Sequence, residues 1–188
     1  MSGDKPIHEA ARAGDVAKLK EAESRRECRL AFWQCTPLML AAENGKLEAV
    51  RFLIEQKASL DRTDTGGSAW TALHFACTNG RAEVAKCLLD AKADINKHNS
   101  YGWSAMMYAA YRGNEACAKL LLERKADATI NDTYGNTALD LAKAKNHEKI
   151  VALLKQHEAD RIAQQKAAVQ QRLEQESLQK EKAEAERK

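Results

Sequence analysis

The chain has 188 residues, 44% of them hydrophobic and 30% charged, with 30 Lys plus Arg against 27 Asp plus Glu. A formal charge of +3 is too small to mark a surface for polyanions, and no apolar run approaches the roughly eighteen residues that a membrane span requires. Aromatic residues at 5% and two prolines, set against abundant Ala and Leu, favour helices over strands, so the expected fold class is all-α.

The opening Met1-Ser-Gly-Asp-Lys-Pro lacks the apolar stretch of a secretory signal, and the five cysteines are an odd number without short paired spacings. A reducing compartment is expected: the cytoplasm, with the nucleus as a second location.

Internal repetition comes next. Thr36-Pro-Leu-Met-Leu-Ala-Ala, Thr71-Ala-Leu-His-Phe-Ala-Cys, Ser104-Ala-Met-Met-Tyr-Ala-Ala and Thr137-Ala-Leu-Asp-Leu-Ala-Lys start 35, 33 and 33 residues apart, and Lys5-Pro-Ile-His-Glu-Ala-Ala precedes them by 31. Each copy is followed at one offset by Gly14, Gly45, Gly80, Gly113 and finally Asn146. In the later four copies a Ser or Thr can cap the start of a short helix, and in all five the Gly or Asn can end it in the left-handed conformation. A second apolar pattern follows at helical spacing, as in Leu47, Val50, Leu53 and Ile54, so each unit reads as a helical hairpin. Small residues at Ala10, Ala41, Ala76 and Ala109 allow close approach of neighbouring first helices, and one hairpin cannot bury its apolar face alone. The units are expected at about 4–31, 32–66, 67–99, 100–132 and 133–157, forming one domain over 4–157.

On these motifs, residues 4 to 157 resemble the ankyrin-repeat family. The resemblance implies a curved stack of helix pairs joined by hairpin-like loops, the fingers, with a concave surface of fingers and first helices that binds proteins. It also implies that His8 and His74 tie fingers to helices by hydrogen bonds. Met39, Met107 and Asp140 fill that slot in the other copies, so the tying network is expected to be interrupted. Where the family favours Gly after the second helix, this chain has Lys57, Lys92 and Lys125. A left-handed backbone there would cost about 1–2 kcal/mol per residue.

The outer copies carry polar residues, among them Asp4, Lys5, Glu9 and Arg12 at one end and Lys143, Lys145 and Asn146 at the other, as caps facing water should. From residue 158 to 188 no finger or Gly stop recurs, and strong helix formers predict a charged helical tail. Ala159, Ile162, Val169 and Leu173 fit one heptad seam, interrupted by Lys166 and Glu176, so self-association through a weak coiled coil is an alternative to a solvated helix.

Six of the ten aromatic residues fall in fingers: Phe32, Trp33, Trp70, Tyr101, Trp103 and Tyr134. Trp33, Tyr101 and Tyr134 precede their cap residue by three and Trp70 and Trp103 by one, which predicts adjoining rows of rings. Thr78 with Asn79 and Tyr111 with Arg112 lie just before the helix stop, where the resemblance turns them towards the groove. Trp33, Trp70, Thr78, Asn79, Tyr101, Trp103, Tyr111, Arg112 and Tyr134 are therefore the expected partner-binding residues. Stacking of the rings on neighbouring fingers is the competing, purely structural role. Thr65-Gly66-Gly67-Ser68 should hold a two-residue insertion that lengthens one finger.

No nucleophile elbow, phosphate loop or His-Glu-x-x-His stretch occurs, and the cysteines lack metal-ligand spacing, so no enzyme, cofactor or metal is expected. Cys77, Cys87 and Cys117 read as packing residues and Cys35 as the better exposed thiol, while His98, His147 and His157 read as surface groups. Arg112 beside Tyr111 and Trp103 could stack single-stranded nucleic acid, but no run of basic residues surrounds them. The expected function is noncatalytic recognition of another protein, with no small-molecule substrate and no membrane. The alternative is a structural assembly component that pairs through its tail, with the repeats as a spacer.

Overall fold

The computed structural model describes residues 6–24 and 35–185. Trp33, Phe32, Cys28, Asp4 and Lys5 lie outside the described residues. The helices are α1 (Pro6–Ala13), α2 (Val16–Ser24), α3 (Pro37–Glu43), α4 (Leu47–Glu55), α5 (Ala72–Thr78), α6 (Ala82–Asp90), α7 (Ala105–Arg112), α8 (Glu115–Glu123), α9 (Ala138–Ala144) and α10 (Glu148–Ala185). Among the described residues there is no strand, only an isolated bridge between His98 and Ser104 in one finger, so the fold is all-α as expected. The chain forms two compact units that meet between Val151 and Ala152.

In the first unit the odd-numbered helices pack in sequence, α1 on α3, α3 on α5, α5 on α7 and α7 on α9, while α2, α4, α6 and α8 form a second layer. The odd layer can be this close because its facing residues are small: Ala41, Ala42, Ala76, Cys77, Ala109, Ala110 and Ala142 have no exposed surface. Leucine and methionine fill what remains, with Leu38, Leu73, Met106, Leu88 and Leu121 buried. The core is therefore a continuous strip along the stack, renewed by each hairpin.

Each later first helix starts on a hydroxyl cap. Thr36, Thr71, Ser104 and Thr137 have extended backbone and accept a hydrogen bond from the amides of Met39, His74, Met107 and Asp140 respectively. In three of the four the third helical residue returns the favour: Met39 Sδ, His74 Nδ1 and Asp140 Oδ2 accept from the cap's own N–H at 3.2, 3.1 and 3.1 Å. The capping half of the motif thus tolerates Met or Asp in the His slot. The half that reaches the next hairpin does not. Among these four slots His74 alone carries a bond onward, from Nε2 to the Trp103 carbonyl at 3.0 Å, so the interruption expected from the sequence is present in that half.

The first helix of each hairpin ends in a left-handed residue, and so do the second helices α4, α6 and α8. At the first stop it is Gly14, Gly45, Gly80 and Gly113, with Asn146 at φ 57° closing the series. After the second helix it is Lys57, Lys92 and Lys125, at φ 60°, 73° and 62°. Around Lys92 the amides of Lys92 and Ala93 return to the carbonyls of Leu89 and Leu88 at 3.0 Å each, the paired bonds of a Schellman terminus. That geometry needs positive φ, and lysine pays for it in strain.

The residue after each first stop performs a task that the sequence did not suggest. Arg81 Nε donates to the Glu43 carbonyl at 3.2 Å, Asn114 Nδ2 to the carbonyls of Cys77 and Thr78 at 2.7 and 3.0 Å, and His147 Nε2 meets the Tyr111 carbonyl at 3.1 Å. Each thereby caps the C-terminus of the preceding hairpin's first helix, satisfying carbonyls that the helix leaves open. His147 is consequently half-buried and bonded, not the free surface group expected. The same side chains press on the stop itself: a Cβ at Gly113 would lie 2.7 Å from the His147 ring, and one at Gly14 2.9 Å from Lys46.

The second unit contains the rest of α10. Its side chains are bonded along the helix, Gln156 to Asp160 and Gln170 to Glu174 at i, i+4, with Arg161 on Glu158 and Arg172 on Glu176. Ile162, Val169 and Leu173 are exposed.

Two outcomes follow from the stops. Lys92→Gly should raise the urea midpoint by about 0.5–1 kcal/mol equivalent, strain relief exceeding the added chain entropy, with the denaturant slope unchanged. Gly113→Ala should lower the midpoint more than Gly67→Ala, because both have positive φ but a Cβ at Gly67 meets nothing within 4 Å.

Candidate functional site

The fingers position the aromatic residues by a repeated turn. Asn99 Oδ1 accepts from the amides of Tyr101 and Trp103 at 2.9 Å each, and Asp132 Oδ1 from those of Tyr134 and Asn136 at 2.9 and 2.8 Å. Asp64 plays the same part for the preceding finger, accepting from the Trp70 amide at 2.6 Å while its own N–H donates to the Trp70 carbonyl at 2.9 Å. The Asp64 to Trp70 interval is two residues longer than its counterparts, which locates the insertion at Thr65 to Ser68 as expected. Ser100 bonds that longer loop through its amide to the Ser68 carbonyl and through its hydroxyl to the Gly67 carbonyl, both at 3.0 Å.

At the finger bases the rings come together. Trp70 and Trp103, both half-buried, do not stack directly: Tyr108 of α7 stands between them, with its ring centroid 4.3 Å from Trp70 and 4.9 Å from Trp103. Phe75 packs on Trp70 at 5.0 Å and Tyr111 on Trp103 at 5.2 Å, and Lys145 Nζ lies 4.5 Å from the centre of the Tyr111 ring. A run of aromatic rings therefore spans two hairpins and ends on a cation of the next. Tyr108 was not legible as part of it, because it occupies the position filled by Leu40, Phe75 and Leu141 in other copies and so reads as core. The signal available was its hydroxyl, which accepts from Asn99 Nδ2 at 2.8 Å. Burial pushes the Tyr108 phenol up to about 12.

Trp103 is also tied by its indole N–H, which donates to Asp132 Oδ2 at 3.1 Å. Burial pushes the Asp132 carboxyl up, but the Asn136 and Tyr134 amides and the Trp103 indole outweigh it and hold the group below its ordinary value. Trp70 and Trp103 thus both stack, the structural role weighed for them, and both keep part of their surface exposed. Tyr101 and Tyr134 stand apart from the ring run at 53% and 85% exposure. Thr78 donates its hydroxyl to the His74 carbonyl and Asn79 its amide to the Phe75 carbonyl, so both are spent on their own helix end. Arg112 is exposed at the end of α7.

His74 anchors the site from below. Its Nδ1 accepts from the Thr71 amide and its Nε2 faces a carbonyl, which requires the neutral ring with the proton on Nε2. Burial lowers its pKa to about 4. Cys77 and Cys117 are buried, and the hydrogen bond between them raises Cys77 and lowers Cys117, while Cys35, half-buried rather than exposed, is raised by burial and then by Asp64 and Glu43. Among the described residues no cluster of His, Cys, Asp or Glu could hold a metal ion, and no helix is long and apolar enough to cross a membrane.

A linear stack of helical hairpins with projecting fingers is a repeat solenoid. A family model described as ankyrin repeats in three copies matches residues 7–99 and 91–165. The chain belongs to the ankyrin-repeat family, whose repeats generally mediate protein–protein interaction. It is similar to mouse Ankyrin repeat and SAM domain-containing protein 6, 45% identical over 60 residues that cover 32% of this chain and 7% of that protein. Human Protein phosphatase 1 regulatory subunit 27 is 32% identical over 94 residues, 48% of this chain and 60% of that one. Palmitoyltransferase akr1 of Schizosaccharomyces pombe is 43% identical over 60 residues, 31% of this chain and 9% of that one. The chain spans less than two thirds of each of these relatives.

The neutral His74 makes stability depend on pH. Its pKa is about 6.5 in the unfolded chain and about 4 in the folded one, so the unfolded state binds the extra proton. The contribution, about 3 kcal/mol, is complete above pH 6.5 and is lost as pH falls towards 4. His74→Met, the residue type at the Met39 and Met107 slots, should flatten the fall of the urea midpoint between pH 7 and 4.5 relative to the parent chain.

Proposed function

We propose that this chain is a noncatalytic adaptor that recognises a protein or peptide through the face formed by its fingers and first helices. The observation that supports this most is the set of half-exposed rings Trp70, Trp103 and Tyr111, joined from beneath by the buried Tyr108 and flanked by the exposed Tyr101 and Tyr134. Rigid aromatic surface of this kind yields binding energy at small cost in side-chain entropy, and loss of one such anchor typically costs about 2 kcal/mol. The similarity to a phosphatase regulatory subunit agrees with an adaptor role. The proposed location is the cytoplasm, or the nucleus.

The binding set proposed is Trp70, Tyr101, Trp103, Tyr111, Arg112 and Tyr134, together with Trp33, whose position lies outside the described residues. Thr78 and Asn79 contribute by shaping the end of α5. The repeat domain proposed spans 4–157, with 158–188 as a tail. A second reading rests on the exposed Ile162, Val169 and Leu173 of that tail, which would make the chain an assembly component pairing through α10.

Affinity capture followed by mass spectrometry and titration of the captured partner separates the two. Tyr101→Ala combined with Tyr134→Ala should weaken partner binding at least tenfold with an unchanged urea midpoint, since neither ring packs on the cluster, whereas removal of residues 158–188 should leave affinity unchanged. The reverse pattern would establish assembly through the tail.

A further inference from the structure

The position just before each first-helix stop changes character along the stack. It is Asn44 in the second hairpin and Asn79 in the third, and both side chains turn back to donate to their own helix, to the Leu40 and Phe75 carbonyls at 2.8 and 2.9 Å. In the fourth and fifth hairpins the same position holds Arg112 and Lys145. Neither caps its own helix. Lys145 rests on the Tyr111 ring, an arrangement that leaves its ammonium donors unspent, and the exposed Arg112 guanidinium has no ion pair or hydrogen bond among the described residues.

The carboxylates of Asp132 and Asp140 are already engaged. Asp132 is held by Trp103, Asn136 and Tyr134, and Asp140 by Thr137 and Lys143, the latter at 3.6 Å. The end of the aromatic strip at Tyr111 is therefore cationic, although the net charge of the chain is only +3.

Resting on the reading of this face as a binding surface, we infer that its occupant is an extended peptide segment of a partner protein in which an aromatic or large aliphatic side chain is followed by Asp or Glu. The apolar side chain lies on the half-exposed Trp70 and Trp103, which the buried Tyr108 backs. The carboxylates pair with Arg112 and Lys145, where a guanidinium fork beside low-dielectric ring faces strengthens the bond relative to one in open water. A basic segment is disfavoured at the same end by like charge.

A random twelve-residue peptide library displayed on phage and selected on the full chain, followed by titration of fluorescein-labelled synthetic peptides, tests this. Enriched peptides should combine an aromatic or large aliphatic residue with Asp or Glu. Replacing those acids by Asn and Gln, or introducing Arg112→Glu with Lys145→Glu, should each weaken Kd at least tenfold. Combining the two changes should cost much less than their product, and Arg112→Gln with Lys145→Gln should show the same trend should the reversed pair fail to fold. Peptides that lose binding to Tyr101→Ala with Tyr134→Ala but show no acidic bias would overturn the charge assignment and leave the binding face standing. Enrichment indifferent to all these variants, or no enrichment, would overturn both.

Discussion

The stack turns on one contact: the residue after a helix stop rests against the stop of the preceding hairpin, and at three of the four junctions it also reaches back to that hairpin's open carbonyls. Arg81, Asn114 and His147 make the bond, and Lys46 makes the van der Waals part of the contact. A short helix surrounded by neighbours cannot leave its last carbonyls to water, so the cap must come from protein. Because the cap arrives from the next repeat, satisfying a helix end and setting the distance between hairpins are the same event. Glycine at the stop is then required twice, for its backbone angle and for the space that the capping side chain occupies.

The aromatic site inherits its geometry from this spacing. Finger turns built on Asp64, Asn99 and Asp132 repeat at the pitch of the helices beneath them, and Trp103 reaches forward to Asp132 of the next turn. His74 ties α5 to the Trp103 carbonyl, so the finger that carries one tryptophan is fixed to the helix below the other. The rings thus form a rigid strip, with Tyr108 as its central member and the exposed tyrosines at its margin.

Much of this was legible in the residue order. The hydroxyl caps, the Gly stops and the left-handed lysines all follow from one alignment of five copies, because backbone demands recur at fixed offsets. The extra length of one finger was legible for the same reason. Long-range side-chain contacts were not. A polar residue after a helix stop reads as exposed, so Asn114 and His147 gave no sign of their reach across a junction, and Tyr108 was hidden by sitting in a leucine's place. The tryptophan rows were expected to adjoin, yet the interposed ring that joins them came from a different element. Asp140 shows the converse, since a side chain that departs from the repeat pattern still completes the cap through its carboxylate.

The enlarged finger is closed at its neck by the bonds between Asp64 and Trp70, and Thr65 to Ser68 loop out beyond that closure. The neck closure keeps the helices on either side in phase despite the two extra residues, and Ser100 of the next finger pins the arc itself, so the added length is absorbed at the edge while the periodic frame stays in step.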